Sequence, residues 1–185
     1  MSSLVNSNWP VDIEKIDRRN ICDHYKYWQM DAILADQDKN RCKLTIFAEN
    51  FGNDFNVATV VRSSNAFLCK EVVLIGSRKW DRRGAVGMQN YEHLTFATDV
   101  HEALKSRGNN RIVVLDNIPG AQNIYDYSWH ESTILILGQE SIGVSPESLK
   151  IAHDVVYIPQ FGAVRSLNVG AAATVAMSHY RMQWR

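Results

Sequence analysis

The chain is predicted to be an α/β protein, a parallel sheet with helices on both faces, on the strength of three observations. From Lys43 onward, apolar runs of strand length alternate with segments of helical spacing, the order that a parallel sheet requires. One run, Thr133-Ile134-Leu135-Ile136-Leu137, is almost wholly apolar, as expected of a central strand covered on both faces. The last run, Val155 to Ile158, stops at Pro159 and passes through a glycine-containing turn into a helix of small residues that begins near Ser166-Leu167-Asn168. A strand, a loop and a helix start in that order deliver backbone N–H groups and short polar side chains to a ligand.

Taken in order, residues 1–42 are the least regular. Ile13, Ile16, Ile21, Tyr25, Trp28 and Ile33 give an irregular helix-like spacing with Arg18, Arg19, Lys26 and Asp31 between them. A helical N-terminal extension packed on a main domain over residues 43–185 is expected, its charges a solvated face sooner than a nucleic-acid contact. Lys43 to Ala48 reads as the first buried strand and Asn50 to Asn56 as a polar loop. Val57, Val60, Val61, Ser64 and Phe67 fit a helix with Asn56 as its N-cap, because an Asn oxygen accepts an orphan N–H of the first turn. Glu71 to Ile75 is the second strand, ended by Gly76. The following segment sets Arg78, Lys79, Arg82 and Arg83 around Trp80, then two glycines; a flexible loop of that kind grips phosphates and stacks on a base. The alternative is a solvated loop pinned to the surface by Trp80. His93 to Ala97 is a short strand, Val100 to Lys105 a short helix and Arg111 to Leu115 a further strand. After the apolar strand, Pro146 suits the first turn of a helix from Glu147 to Ala152 capped by Ser145. The closing helix runs from Asn168 to about Met182.

The bulk properties narrow the classes. A chain of 185 residues with 45% hydrophobic residues suits one globular domain. No apolar run approaches the roughly 20 residues of a membrane span, and the first residues lack the apolar core of a signal peptide, so a cytoplasmic protein without a membrane partner is expected. Cys22, Cys42 and Cys69 form no CxxC pair and are expected as reduced, partly buried thiols. A net charge of zero excludes capture of nucleic acid by a global positive field, leaving local basic patches. The six histidines have no ligand spacing, and no metal is expected.

The phosphate loop, GxGxxG and the GxSxG elbow are all missing. What the chain has instead is a set of loop residues at predicted strand ends: Asn53, Asn56 and Arg62; Gly138, Glu140 and Gly143; Ile158, Ser166, Leu167 and Asn168. In an open α/β sheet ligands sit at those ends. Singly, each has a plain structural explanation as a cap, a surface cation or a loop acid.

Together and in this order they resemble the three motifs of the SpoU (TrmH-like) group of the SPOUT RNA methyltransferases. Asn56-Val-Ala-Thr-Val-Val-Arg62 resembles the Asn-(x)5-Arg motif. Gly138-Gln-Glu140-Ser-Ile-Gly143 after an apolar strand resembles Gly-x-Glu-x-x-Gly. Ile158-Pro159-Gln-Phe-Gly162-Ala-Val-Arg-Ser166-Leu167-Asn168-Val169 resembles Ile-Pro-x-x-Gly-x-x-x-Ser-Leu-Asn-Val. The resemblance covers roughly Leu44 to Tyr180 and implies a fold with a C-terminal trefoil knot, a homodimer, S-adenosylmethionine as cofactor and 2'-O-methylation of a ribose in RNA.

By position, the resemblance gives cofactor binding to Leu115, Gly138, Ile158, Ser166 and Leu167, largely through main-chain groups. Glu140 and Asn168 would orient loops, and Ser166 would lie beside the methyl acceptor. Family proposals make Arg62 a base; a guanidinium stays protonated in proteins, so an electrostatic role on phosphate and developing alkoxide is expected, with Asn56 fixing its position. Two departures stand out: Leu68-Cys69 where many members have glycine, and Gly170 where serine is frequent. A short segment before the first strand resembles the compact tRNA-modifying members, so tRNA is the expected substrate and ribosomal RNA the alternative. A silent RNA-binding dimer is a further alternative, against which Asn56, Arg62, Glu140, Ser166 and Asn168 are all retained.

Overall fold

The structure, a computed structural model, describes residues 17–49, 54–76, 79–139 and 142–184. Among the described residues a seven-stranded sheet is built from β1 (Leu44–Glu49), β2 (Glu71–Ile75), β3 (Leu94–Ala97), β4 (Arg111–Leu115), β5 (Gln122–Asn123), β6 (Thr133–Leu137) and β7 (Asp154–Tyr157). Its order is β3-β2-β1-β6-β4-β7-β5, and every pairing is parallel. In register, Ala48 and Leu115 both pair with Leu137, so the C-terminal ends of β1, β6 and β4 are level.

The period-two alternation of the strands divides two apolar layers. Leu44, Ile46, Val72, Leu74, Leu135 and Leu137 face the layer that holds α2 (Asp54–Ala66) and α5 (Val169–Gln183). Phe47, Val73, Ile75, Ile134 and Ile136 face the opposite layer with α3 (Val100–Leu104) and α4 (Pro146–Ile151). β6 is buried along its whole length, as its composition predicts. The small residues of α5 serve this chain's own packing: Ala173, Ala176 and Met177 are fully buried, and a Cβ on Gly170 would lie 2.9 Å from Thr59 on α2.

Several boundaries differ from expectation. Asn56 is not the cap of α2; the helix already includes Asp54, and Asn56 sits buried inside its first turn. α2 ends at Ala66, and Leu68 takes a left-handed φ of 50°, the backbone state for which glycine is usual at that place. Ser145 caps α4 as predicted, accepting from the Ser148 N–H with Pro146 in the first turn. β5 and the 3-10 turn Ile124–Asp126 are additional; two residues of ladder leave no readable alternation.

Of the N-terminal segment, residues 1–16 lie outside the described residues. The remainder holds a 3-10 turn at Asp23–Tyr25 and α1 (Met30–Asp38), anchored by fully buried Ile33. Arg19 is a structural clamp, bonded to Asp17, the Trp28 carbonyl and the Tyr91 hydroxyl. A second clamp is buried: Arg41 donates to Glu92 Oε1 at 2.9 Å and to the carbonyls of Cys69 and Tyr91. Burial pushes the Glu92 carboxyl up to about 8, against the pull of Arg41. Cys42 and Cys69 are free and buried, and Cys22 is exposed.

Candidate functional site

Leu115, Gly138 and Ile158 end or follow three neighbouring strands, β4, β6 and β7, so the sheet itself brings them to one edge. A cleft of about 350 Å³ opens there. Its wall includes Leu115, Gly138, Ile158, Ser166 and Leu167, the five residues assigned to cofactor binding, and also Asn168. Asp116, Asn117, Gln139, Tyr157 and Gln160 complete its polar lining, with Val169 and Ala172 from the start of α5.

The turn after β6 shows why two glycines are required. Gln139 and Gly143 exchange both backbone hydrogen bonds at 2.9 Å, folding the loop back on itself. A Cβ on Gly138 would stand 2.3 Å from the Gly143 carbonyl carbon and from the Val144 nitrogen. Gly143 has φ +76° and would place a Cβ 2.7 Å from Asp116 Oδ2. That oxygen accepts from the Val144 N–H at 3.0 Å, tying the end of β4 to this turn. Below it Glu49, buried at the end of β1, accepts from the Ser145 N–H at 3.0 Å and from the hydroxyls of Ser145 and Ser148. Asp116 and Glu49 were missed in the sequence; each is a lone acid at a strand end, with nothing in its spacing to say what it accepts. Glu140, assigned to loop orientation, lies outside the described residues.

Asn168 joins the other two motifs. Its Oδ1 accepts from the Ala171 N–H at 3.2 Å and so caps α5, while its Nδ2 donates to Asn56 Oδ1 at 2.9 Å. The start of α5 is thereby held against the first turn of α2. Asn56 is reached through this amide pair, a role that its expected position as a cap did not suggest. Ser166 is exposed in the cleft wall. Arg62 is exposed on α2, six residues or about 9 Å along the axis from Asn56, and is not in the cleft wall. No hydrogen bond or ion pair holds it to a described residue.

The basic segment is more ordered than a flexible loop. Arg82–Ala85 and Met88–Asn90 form 3-10 turns, the first capped by Asp81, which accepts from the Arg83 N–H. Gly84 packs against Ala58 of α2, which sets the segment beside Asn56. Trp80 is half-buried against the α2–α5 layer and acts as an anchor. Arg82, Arg83 and Lys79 are exposed, and Arg83 is paired with Asp81, whose carboxyl is lowered to about 2 by that guanidinium. Arg78 lies outside the described residues. No group of three or more His, Cys, Asp or Glu side chains that could hold a metal is found among the described residues, and no helix among them is long and apolar enough to cross a membrane.

An open parallel sheet with a cleft where its strands end, bordered by a capped helix of small residues, defines the class of α/β proteins that bind ligands at strand ends. The family model for the SpoU rRNA Methylase family matches residues 43–178, and the chain belongs to that family. It is 27% identical over 161 residues to a tRNA (guanosine(18)-2'-O)-methyltransferase of Aquifex aeolicus, covering 79% of this chain and 72% of that protein. A protein of the same name from Borreliella burgdorferi is 28% identical over 185 residues, covering 100% and 78%. Among solved structures, the TrmH/SpoU tRNA modifying enzyme of A. aeolicus superposes with a TM-score of 0.74 at 25% identity, covering 83% of this chain and 81% of that one. The SpoU methyltransferase AviRb of Streptomyces viridochromogenes, in complex with AdoMet, shares the fold with a TM-score of 0.69 at 21% identity, covering 80% and 63%.

Proposed function

We propose that this chain is an S-adenosylmethionine-dependent RNA 2'-O-ribose methyltransferase and that its substrate is tRNA. The observation that carries the reading is the meeting of motifs two and three in one cleft, with motif one attached through the Asn56–Asn168 amide pair. The substrate half rests on the names of the related tRNA methyltransferases, and ribosomal RNA is the other arm of the test.

The cleft fits the cofactor on its own features. It has room for a nucleoside-sized ligand, main-chain groups at three strand ends, an apolar wall from Leu115, Ile158, Leu167 and Val169, and one buried polar atom without a partner. When bound, S-adenosylmethionine supplies an electrophilic methyl group. The chain supplies position and charge. Leu115, Gly138, Ile158 and Leu167 would hold the cofactor, and Ser166 would face the acceptor ribose. Asn168 and Asn56 fix the last loop against α2, and Glu140 would steady the turn after β6. Arg62, permanently cationic and exposed, would bind the phosphate beside the target and stabilise the alkoxide as it develops, the proton leaving to phosphate or water. Arg82, Arg83, Lys79 and Arg78 would hold more distant phosphates.

Because Arg62 is outside the cleft wall of its own chain, the reading includes a homodimer in which Arg62 faces the partner's cleft. An apolar groove of about 400 Å³ lined by Phe67, Tyr125, Val175 and Met182 supports such a contact on the α2–α5 side. The knotted path belongs to the same reading: β4 lies between β6 and β7, so the chain after β6 passes over β4 before α5. The same reading takes residues 43–185 as the domain and residues 1–42 as an extension, which the family match over residues 43–178 supports.

The test is transfer of labelled methyl from S-adenosylmethionine to unmodified tRNA and to ribosomal RNA, followed by nucleoside mapping. A 2'-O-methylated nucleoside from the tRNA arm is expected. Arg62→Ala should lower the rate by about 10²–10³-fold while changing cofactor affinity less than about threefold. Near-normal turnover by that variant would remove Arg62 from the mechanism.

A further inference from the structure

Gln160 lies in the cleft wall, between Pro159 and exposed Phe161, at a position that the Ile-Pro-x-x-Gly pattern leaves open. Its side-chain carbonyl oxygen is shut off from solvent and has no hydrogen-bond partner among the described residues. A buried acceptor left without a donor is disfavoured, and folded proteins almost always pair such atoms. Because the residue lines the cleft, a rotation of its side chain would bring that oxygen to a ligand with a donor. None of the other polar side chains of the cleft, among them Asn117, Gln139, Tyr157 and Ser166, donates to it.

We propose that Gln160 is a specificity residue for the methyl donor, its Oε1 accepting a hydrogen bond from an N–H or O–H of the bound molecule. This rests on the cofactor reading above and goes beyond it, because recognition is otherwise left to main-chain groups that any sequence can provide. The donor is either on the nucleoside half, an adenine amino group or ribose hydroxyl, or is the ammonium of the amino-acid half. A side chain at an open motif position lets this chain read one of those groups where a relative with another residue does not.

The experiment is calorimetric titration of the full chain with S-adenosylhomocysteine and with 5'-methylthioadenosine, which lacks the amino-acid half. Wild type is compared with Gln160→Met, which keeps length and removes the amide, and with Gln160→Glu, which keeps an oxygen acceptor. Gln160→Met should bind S-adenosylhomocysteine about 3- to 10-fold more weakly, and Gln160→Glu within about twofold of wild type. An equal loss with 5'-methylthioadenosine places the donor on the nucleoside; a loss seen only with S-adenosylhomocysteine places it on the ammonium. Unchanged affinity of Gln160→Met, with wild type binding normally, overturns the proposal, as does a comparable loss in both variants. Failure of wild type to bind either ligand would instead count against the cofactor reading itself. Thermal unfolding of the ligand-free variants at the wild-type midpoint shows that any loss is local.

Discussion

At the scale of single residues, the site depends on atoms that are absent as much as on those present. Gly138 lies so close to the returning backbone that a methyl group has nowhere to go, and backbone cannot swing aside as a side chain can. Gly138→Ala is therefore expected to destabilise the protein by about 1–3 kcal/mol and to lose cofactor binding together with it, measured by denaturant unfolding and by titration. Both glycines of that turn were legible in the sequence, since their spacing after an apolar strand is itself the signal. Their partner Asp116 was not. A carboxylate is named by the N–H groups it meets, and those come from a segment 28 residues away at Val144. Arg62 stands between these cases: its residue type and motif position could be read, but the partner surface that the proposed homodimer would set against it could not.

At the scale of elements, two side-chain pairs link α2 to the start and middle of α5, the Asn168–Asn56 amides at 2.9 Å and the Ser63–Thr174 hydroxyls at 2.7 Å. Asn168 serves both helices, so its loss removes a cap and a cross-link in one step, whereas Asn56 takes part in the cross-link and not in the cap. Asn168→Ala should cost about 1–2 kcal/mol and Asn56→Ala about 1 kcal/mol, with a coupling of about 0.5–1.5 kcal/mol in a double-mutant cycle by urea unfolding. Additive costs would show that the two amides act separately. The strands and the closing helix were readable because period-two and small-residue patterns persist over whole elements. The start of α2 was misplaced because Asn is a common cap, and nothing local shows that a partner at the start of another helix overrides that preference. The 3-10 turns of the basic segment were hidden for the opposite reason: Asp81 and Gly84 order it through contacts with Arg83 and Ala58 that no periodicity records.

At the scale of the molecule, two apolar layers share one sheet, and the ionic group of interest for stability lies away from the cleft. Glu92 binds its proton more tightly in the folded chain, where burial raises it to about 8, than in the unfolded chain, where it titrates near 4.5. Its contribution is therefore complete below about pH 4.5 and is lost as pH rises through about 8. The wild-type melting temperature should fall across that window more steeply than that of Glu92→Gln, by an amount equivalent to about 1–3 kcal/mol, read by calorimetry at pH 5 and pH 8. Equal slopes would mean that Arg41 keeps the carboxylate ionised throughout.

From Phe161 to Asn168 every residue is exposed, in the segment that connects β7 to α5. Such a stretch is the natural place for an endoprotease to bite, with an aromatic at Phe161 for chymotrypsin and a cation at Arg165 for trypsin. Scission there would part the last strand from the helix it feeds, and a molecule seated beneath should slow the cut. The lifetime of this tether under mild digestion then reports occupancy of the cleft without any RNA in the tube.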